Sequence, residues 1–242
     1  MKKENIGKRE IIKKNLDSEN KKIENIMQKF GITQEKLRNL EEEQKKLSKL
    51  VKPKDTIDFD LIETYGGIEN VFKGNKIISA IVLMKNKEII EQKYISEKVN
   101  FPYIPSFRAY RELPSMIKVF NLLEEKPDVI FVRASGIAHK RGLGLASHFS
   151  LSVNVPTIGI TESPGECKVE GDKILINNKV VGRVLKLKKE ANPIYVSPGN
   201  LISVETAEKL TKELTTEPHK FPDVLLEAKK YAKKLLRELF PN

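Results

Sequence analysis

A largely apolar run of eight residues, IISAIVLM at positions 77–84, constrains the fold more than any other feature of the chain. Segments of strand-forming residues flank it at 66–72 and 89–96, and short turns containing Gly, Asn and Lys join the three. Such segments with such turns are typical of consecutive paired strands. The pattern therefore predicts an antiparallel meander of three strands.

After the meander, helical and apolar strand segments alternate along the chain. Short apolar runs between helices are typical of buried parallel strands that helices cover. Three antiparallel strands followed by helix-alternating strands is the order of an RNase H-like fold, an α/β class with a mixed sheet flanked by helices. The predicted later elements are helices at about 107–124, from about 143, at 203–215 and at 222–239, strands at 129–132 and 156–160, and a hairpin at 173–187 around Asn177-Asn178.

Residues 1–33 predict a basic helical extension, which precedes a domain at 34–242. An apolar helical stripe ends at Gly31, and a second stripe follows Thr33, a residue suited to capping a helix. Two to three heptads are too few to indicate a coiled coil, so we expect the stripes to pack against the main domain, although they could also bind a protein partner. The stripes consist of Leu16, Ile23, Met27 and Phe30, then Leu37, Leu40, Gln44, Leu47 and Val51.

Positive charge in excess favours a polyanionic partner. Forty-four Lys and Arg against thirty-three Asp and Glu give a formal net charge of +11 and a pI near 9.5. A basic surface binds nucleic acid because each neutralised phosphate releases counterions. A general lysine bias of the proteome is the alternative explanation.

Cysteine content and hydropathy exclude several classes of protein. The one cysteine, Cys167, excludes an intramolecular disulfide and a multi-cysteine zinc site. No stretch approaches 18 apolar residues, and no apolar run follows the charged amino terminus, so neither a membrane span nor a signal peptide is expected. The sequence predicts a soluble, cytoplasmic protein that has no membrane partner.

The segment Pro102-Tyr103-Ile104-Pro105, here called the wedge loop, precedes the first predicted helix of the domain. Each proline fixes its own φ and restricts the residue before it, so the loop is stiff. Stiffness suits a wedge that unstacks bases, which makes Tyr103, Ile104 and Pro105 candidate nucleic-acid contacts. A rigid strand-to-helix connection is the other interpretation.

A glycine-rich segment, residues 135–148, follows a buried strand and runs into a helix; we call its first part, residues 135–144, the glycine loop. Glycines allow close approach to a ligand, and helix N-terminal amides attract phosphate, so Gly136 and Gly144 are candidate contacts. His139, Lys140 and Arg141 lie in the same loop at a strand's carboxyl end, where open α/β sheets place their sites. All three are candidate nucleic-acid contacts, and His139 is also a candidate catalytic residue.

Together with Pro156–Ile160 and Val196–Asn200, these segments resemble the endonuclease V family, whose hallmark segments are PYIP, an FRE-type glutamate, GxGIAHPRRxGLAxH, PTIG and VSPG. The resemblance covers about residues 34–240 and keeps the family's order. It implies an RNase H-like fold and an endonuclease that captures a flipped hypoxanthine base and cuts one phosphodiester beyond it on the 3′ side. It also implies Mg²⁺ or Mn²⁺, held by carboxylates.

Carrying the family's ligands over residue by residue gives an uneven result. The first-strand aspartate aligns best with Glu69, and the helix glutamate with Glu112, so the resemblance assigns both to metal binding and catalysis. The next aspartate corresponds to Arg133, the lysine of the PTIG strand to Glu162, and the acid or histidine of the last helix to Lys229. These three are degenerate catalytic positions.

Arg133 decides what this arrangement can bind. An arginine supplies no oxygen ligand and repels the ion, and at about 4 Å with an effective dielectric near 20 each unit-charge contact is worth about 4 kcal/mol. We expect Arg133 to lie within salt-bridge reach of Glu69 or Glu112, and to neutralise Glu112 or Glu162 without metal. In an alternative register, residues 56–62 form the first strand and Asp60 is a core acid; the sequence favours an exposed Asp60.

Three functional hypotheses remain open. The preferred one is a protein that binds inosine-containing, deaminated or structured strands, DNA or RNA, with lost or much reduced cleavage. The first alternative is an active Mg²⁺-dependent endonuclease V that cuts the second phosphodiester 3′ of inosine in DNA repair or in RNA. The second is a protein-interaction module with a vestigial cleft.

Overall fold

The computed structural model describes residues 24–241, and in this part of the chain nine strands form one sheet of order β3-β2-β1-β4-β5-β9-β8-β7-β6. The strands are β1 (Thr64–Lys73), β2 (Lys76–Lys85), β3 (Glu88–Lys98), β4 (Val129–Val132), β5 (Thr157–Thr161), β6 (Lys168–Glu170), β7 (Lys173–Ile176), β8 (Lys179–Leu185) and β9 (Ile194–Asn200). The helices are α1 (Gln34–Ser48), α2 (Arg108–Asn121), α3 (Leu145–Val153), α4 (Val204–Glu213) and α5 (Asp223–Leu239).

The predicted meander and the predicted fold class are confirmed. Strands β1, β2 and β3 pair antiparallel in sequence order, and β4 pairs parallel with both β1 and β5. This is the strand order of an RNase H-like sheet. The hairpin of β7 and β8 turns at Asn177-Asn178, where both residues have positive φ.

Helices cover both faces of the sheet because the buried strands are apolar on both sides. In β4, Ile130 and Val132 pack with α2 and α3, whereas Val129 and Phe131 pack with α4 and α5. This alternation follows from the two-residue period of a strand. The central strands are thereby fixed between two layers of helix, and their carboxyl ends lie together at one edge of the core.

The structure places the described part of the amino-terminal region against the wedge loop. Thr33 caps α1, since its Oγ1 accepts a hydrogen bond from the Lys36 amide at 3.1 Å, as predicted. Met27 and Ile32 are buried in one cluster with Ile104. Leu16 and Ile23 of the predicted stripe lie outside the described residues, and the division of the chain at residue 33 stays a prediction.

The first-strand register agrees with the sequence-based expectation, whereas two of the other strands differ from it. Residues 56–62 form no strand and Asp58 and Asp60 are exposed, which agrees with the preferred register. Strands β6 and β9 were not predicted from residue pattern; β9 contains Pro198, and proline is typical of strand edges and bulges. Across residues 24–241 no helix is both long and apolar enough to cross a membrane.

Candidate functional site

Glu69 lies on β1 at the centre of the sheet, and Arg133 directly follows the neighbouring strand β4. Parallel pairing of Ile68 with Val132 places the two residues side by side at the ends of the paired segments. Arg133 Nε is 3.9 Å from Glu69 Oε2, so the ion pair is within reach, as the sequence predicted. Arg133 Nη2 donates to Glu162 Oε2 at 2.9 Å, which agrees with one of the two expected partners.

The Glu162 carboxylate is neutralised from a second side. Lys220 Nζ donates to Glu162 Oε1 at 2.7 Å. The Arg133 guanidinium also lies 4.2 Å from the centre of the Phe221 ring, a cation–π distance. The side chain of Arg133 is therefore held in position by Phe221 on its face and by Glu162 at its edge.

Glu69 carries an incompletely paired buried charge. Its Oε2 atom is buried and accepts no hydrogen bond from the described residues. Burial raises the pKa of the Glu69 carboxyl, because water no longer stabilises its charge, and the nearby positive charges of Arg133, Lys229 and Arg108 oppose that rise only in part. Repulsion from Glu112 raises the same pKa further.

Glu112 is committed to an arginine that the sequence analysis did not single out. Arg108 Nε donates to Glu112 Oε1 at 2.6 Å and Arg108 Nη2 to Glu112 Oε2 at 2.9 Å, a bidentate pair. Asn70 Nδ2 donates to the same Oε2 at 2.8 Å, and Ser79 Oγ in turn donates to Asn70 Oδ1 at 2.6 Å. Glu112 has a side chain only 2% exposed, so both of its oxygens are enclosed and occupied. Burial acts to lower the pKa of Arg108, but the hydrogen bonds and charge of Glu112 raise it overall.

These residues do not fit a divalent metal ion. Mg²⁺ takes near-octahedral oxygen coordination and holds to carboxylates that are free to bind it. Within residues 24–241 no three His, Cys, Asp or Glu side chains come together in a geometry that could hold a metal. Both Glu112 oxygens are bound to Arg108, and Arg133 brings a positive charge beside Glu69. We call this group the central charge cluster; its members are Glu69, Asn70, Arg108, Glu112, Arg133, Glu162, Lys220 and Lys229.

A cleft of about 270 Å³ opens beside the central charge cluster and shares Arg108 with it. The wedge loop, the glycine loop and the 163–166 segment form its walls. Its volume is close to the lower end of the range for small-molecule pockets, about 300 to 1,000 Å³. The elements that the sequence analysis singled out separately therefore border one cavity.

Tyr103 and Pro105 are the exposed residues of the wedge loop, and both border the cleft. Tyr103 is 58% exposed. Ile104 is instead 4% exposed and packs into the cluster with Phe101 and Phe107. The structure thus places Ile104 as the anchor of the loop, rather than at a surface that a nucleic-acid strand could contact. The ring of Tyr103 is left free to stack on a base.

Gly136 and Gly144 are close to the protein's own backbone rather than to open space. A Cβ atom on Gly136 would lie 2.0 Å from the carbonyl oxygen of Pro198, and one on Gly144 would lie 2.2 Å from that of Ser135. The Ala146 amide at the start of α3 donates to the Ser135 carbonyl at 3.1 Å, so that helix end is already used. These glycines allow the loop to pack, which differs from the phosphate contact expected for them.

The three basic residues of the glycine loop have different surroundings. Lys140 is exposed and pairs with Glu166 at 3.2 Å. His139 borders the cleft, and its pKa is lowered to about 4 by burial and by the charges of Arg141 and Lys140, so it is neutral near pH 7. Its Nδ1 accepts a hydrogen bond from the Arg141 amide at 3.3 Å, and as a neutral imidazole it offers no charge to a phosphate.

Arg141 forms an internal clamp. Its side chain is 7% exposed, Nε donates to Gln44 Oε1 at 2.6 Å, and Nη2 donates to the Ser106 carbonyl at 2.8 Å. Gln44 Nε2 also donates to that carbonyl at 3.1 Å, and Ser106 has a φ of +64°. Arg141 therefore ties α1 and the glycine loop to the end of the wedge loop and is not available to contact a nucleic-acid strand.

Sequence reasoning missed Arg108, Asn70 and Lys220. Arg108 stands four residues before Glu112 on α2, a spacing at which opposite charges meet on a helix, and that spacing was the available sign. Asn70 and Lys220 reach their carboxylates from β1 and from the turn before α5, so only the tertiary fold brings them there.

A mixed sheet of this order, with acidic residues on its first strand and on the first helix after the meander, defines an RNase H-like protein. The chain belongs to the endonuclease V family, since the family model for endonuclease V matches residues 45–230. The predicted family is confirmed.

Relatives and solved structures agree with this assignment. The chain is 33% identical to an endonuclease V from Thermosipho melanesiensis over 80% of this chain and 84% of the relative. It is also 33% identical to an endonuclease V from Archaeoglobus fulgidus, over 86% and 96%. The fold matches an endonuclease V structure from Bacillus subtilis with a TM-score of 0.78 at 25% identity, covering 87% of this chain and 95% of the other. It matches equally a Ciona intestinalis endonuclease V solved with a 23mer DNA containing an inosine, with a TM-score of 0.78 at 23% identity, covering 86% and 100%.

Proposed function

We propose that this protein binds nucleic-acid strands that contain inosine or another deaminated base, or structured strands, and that its metal-dependent cleavage is lost or much reduced. The observation that carries the proposal is the bidentate pairing of Arg108 with Glu112 beside a cleft that an exposed Tyr103 borders. The arginine occupies the carboxylate, while the cleft next to it stays open.

Binding is supported by the cleft and by charge. Tyr103 offers a π-face on which a base stacks, a contact worth about 1 to 3 kcal/mol. His139, neutral at pH 7, borders the same cleft as Tyr103. The net charge of +11 supplies the sequence-independent attraction for a backbone. The inosine-containing DNA bound by the Ciona intestinalis relative supports the same ligand class here.

Reduced cleavage is supported by the pairing of the Glu112 and Glu69 carboxylates with cationic side chains. Phosphodiester hydrolysis with a divalent ion needs oxygens that can position the ion and its water. Here Glu112 is enclosed by Arg108 and Asn70, and Arg133 faces Glu69. Releasing Glu112 would break its bidentate pair with Arg108 and its hydrogen bond from Asn70, which is costly for a buried carboxylate.

The test compares binding and cutting in one experiment. Fluorescence anisotropy measures the affinity for a nucleic-acid strand with a single inosine and for the same strand with guanosine at that position. Each affinity is measured in EDTA and in Mg²⁺, and gel analysis of the same samples follows cleavage. We expect inosine preference in both buffers and near-background cutting. Tyr103→Ala should lose most of that preference. Tyr94→Ala, an exposed tyrosine on β3 away from the cleft, should retain it.

One observation favours an active enzyme as the second candidate. The buried Glu69 Oε2 has no hydrogen-bond partner within the described residues, and a cation could satisfy it. Robust Mg²⁺-dependent cutting of the inosine strand by the unmodified protein would establish this alternative and reject reduced cleavage. Absence of binding to either strand would reject the nucleic-acid function as a whole.

A further inference from the structure

Lys229 is a partly buried lysine whose ammonium group makes no hydrogen bond or ion pair within residues 24–241. It lies on α5, which packs against β1, and its charge acts on Glu69. The next lysine along the helix, Lys230, is exposed and pairs with Glu227 at 2.6 Å. The contrast sets Lys229 apart from the ordinary lysines of the helix surface.

Arg133 also has guanidinium N–H groups that donate no hydrogen bond within the described residues. A guanidinium has five N–H donors, and within the described residues Arg133 uses only Nη2 for a hydrogen bond, to Glu162. Stacking on Phe221 fixes the plane of the guanidinium. A planar guanidinium that is fixed and incompletely paired is well suited to a phosphate group.

The charges of the cluster leave an excess at these two residues. Arg108 is paired with Glu112, and Lys220 is paired with Glu162. Arg133 also contacts Glu162, but that carboxylate already holds Lys220, and Glu69 is the remaining anion for both Arg133 and Lys229. With all groups ionised, four cations and three anions give the cluster a net charge of +1.

We infer that Arg133 and Lys229 form a site for a backbone phosphodiester, which the protein binds directly and without a divalent ion. The inference rests on the proposed function and specifies how the strand is held beside the cleft. One phosphate would accept hydrogen bonds from the free edge of Arg133 and from the Lys229 ammonium. The position that resembles the family's metal site would thus be used for binding by the protein's own cations.

A methylphosphonate scan tests this inference. Labelled inosine strands each carry one uncharged methylphosphonate at the first, second or third phosphate 3′ of inosine, and affinity is measured by anisotropy in EDTA. We expect one position to weaken wild-type binding about tenfold, the loss typical of a charge-assisted hydrogen bond. Lys229→Met and Arg133→Met should each show a smaller difference between that strand and the unmodified strand than wild type does, because each variant keeps only one of the two cations.

Lys230→Met is the matched control, because it removes a charge from the same helix without touching the cluster, and it should keep the wild-type sensitivity. Thermal melts establish that each variant is folded; Lys229→Met breaks no hydrogen bond or ion pair of the described residues and keeps the test valid if Arg133→Met unfolds. Uniform sensitivity at all three phosphates, undiminished sensitivity in Lys229→Met, or strand binding abolished by EDTA would each overturn the inference. Equal affinity for inosine and guanosine strands would instead count against the proposed function, and the scan on the guanosine strand would still decide the phosphate site.

Discussion

Replacing Arg141 with methionine is expected to lower the free energy of unfolding by about 3 kcal/mol. Its guanidinium makes hydrogen bonds to Gln44 and to the Ser106 carbonyl, plus a 3.2 Å contact with Glu41, and its side chain is 7% exposed. Hydrogen bonds of charged groups contribute about 1.5 to 3 kcal/mol each. Two such bonds sum to about 3 to 6 kcal/mol. Glu41 is 40% exposed and adds little, and methionine keeps the packing of the side-chain stem, so we expect the lower end of that range, about 3 kcal/mol.

Lys140→Met is the matched control for this prediction. Lys140 precedes Arg141 in the glycine loop, is exposed and makes one surface ion pair, so its loss should change stability by less than about 0.5 kcal/mol. Urea denaturation followed by circular dichroism at pH 7 gives both values. For a chain of this size the Arg141 variant should also melt roughly 6 to 12 °C lower.

Salt dependence of strand binding separates the two residues further. An exposed lysine that contacts a phosphate contributes about one unit to the slope of log K against log salt. Lys140→Met should reduce the slope, and Arg141→Met, measured below its melting temperature, should not. The clamp interpretation would be refuted if Arg141→Met unfolded within 1 kcal/mol of wild type, or if it reduced the salt slope as Lys140→Met does.

Three further outcomes are expected. Tyr103→Ala should weaken inosine-strand binding by about 1 to 3 kcal/mol at unchanged stability, whereas Ile104→Ala should lower the free energy of unfolding by about 2 to 5 kcal/mol, because it leaves a cavity in the core. Burial lowers the pKa of His148 on α3 to about 4, so as the pH falls the unfolded chain takes up this proton before the folded protein does. The free energy of unfolding should therefore fall between pH 6.5 and about 4. Denaturation measured at each pH should show that His148→Gln removes about 3 kcal/mol of that fall. Arg133→Asp combined with Arg108→Leu should create Mn²⁺ binding by calorimetry and raise cleavage above background, whereas Arg133→Asp alone should do less, since Glu112 stays bound to Arg108.

Each of these has an outcome that would contradict it. Unchanged binding by Tyr103→Ala would remove the wedge loop from recognition, and unchanged stability of Ile104→Ala would contradict its burial. A pH profile of His148→Gln that matches wild type would assign the acid sensitivity elsewhere, to His139 among others. A double variant at Arg108 and Arg133 that folds but binds no metal would mean that Lys229 or the surrounding backbone also prevents coordination.

Strands β2 and β4 could be predicted from sequence because their apolar runs are long or fully buried, and β1 and β3 because short turns join them to β2. Strand β9 could not be predicted in this way, since Pro198 lies within it and proline lacks the donor that a central strand needs. In the structure Pro198 faces Ile158 across a register shift, where the ladder is already irregular. Strand β6 is three exposed residues at the edge of the sheet and has no apolar pattern to detect.

For the candidate site, sequence reasoning succeeded where a motif fixes a position and failed where the fold alone does. Alignment with the family's segments assigns Glu69 and Arg133 to one site, and the parallel pairing of β1 with β4 brings them side by side. The spacing of Arg108 and Glu112 predicts an ordinary surface pair on a helix, worth about 0.3 to 0.5 kcal/mol. In the structure Glu112 is buried against Asn70, so the pair occupies a carboxylate that a metal would need. That burial depends on how α2 docks on the sheet.

The packing of Gly136 against Pro198 has a consequence for how such chains are classified. Any larger residue at position 136 would drive the loop away from β9, so selection for a stable fold alone is enough to keep glycine there. Glycine at position 136 therefore reports how the loop packs against β9, and its presence alone carries no information about cleavage.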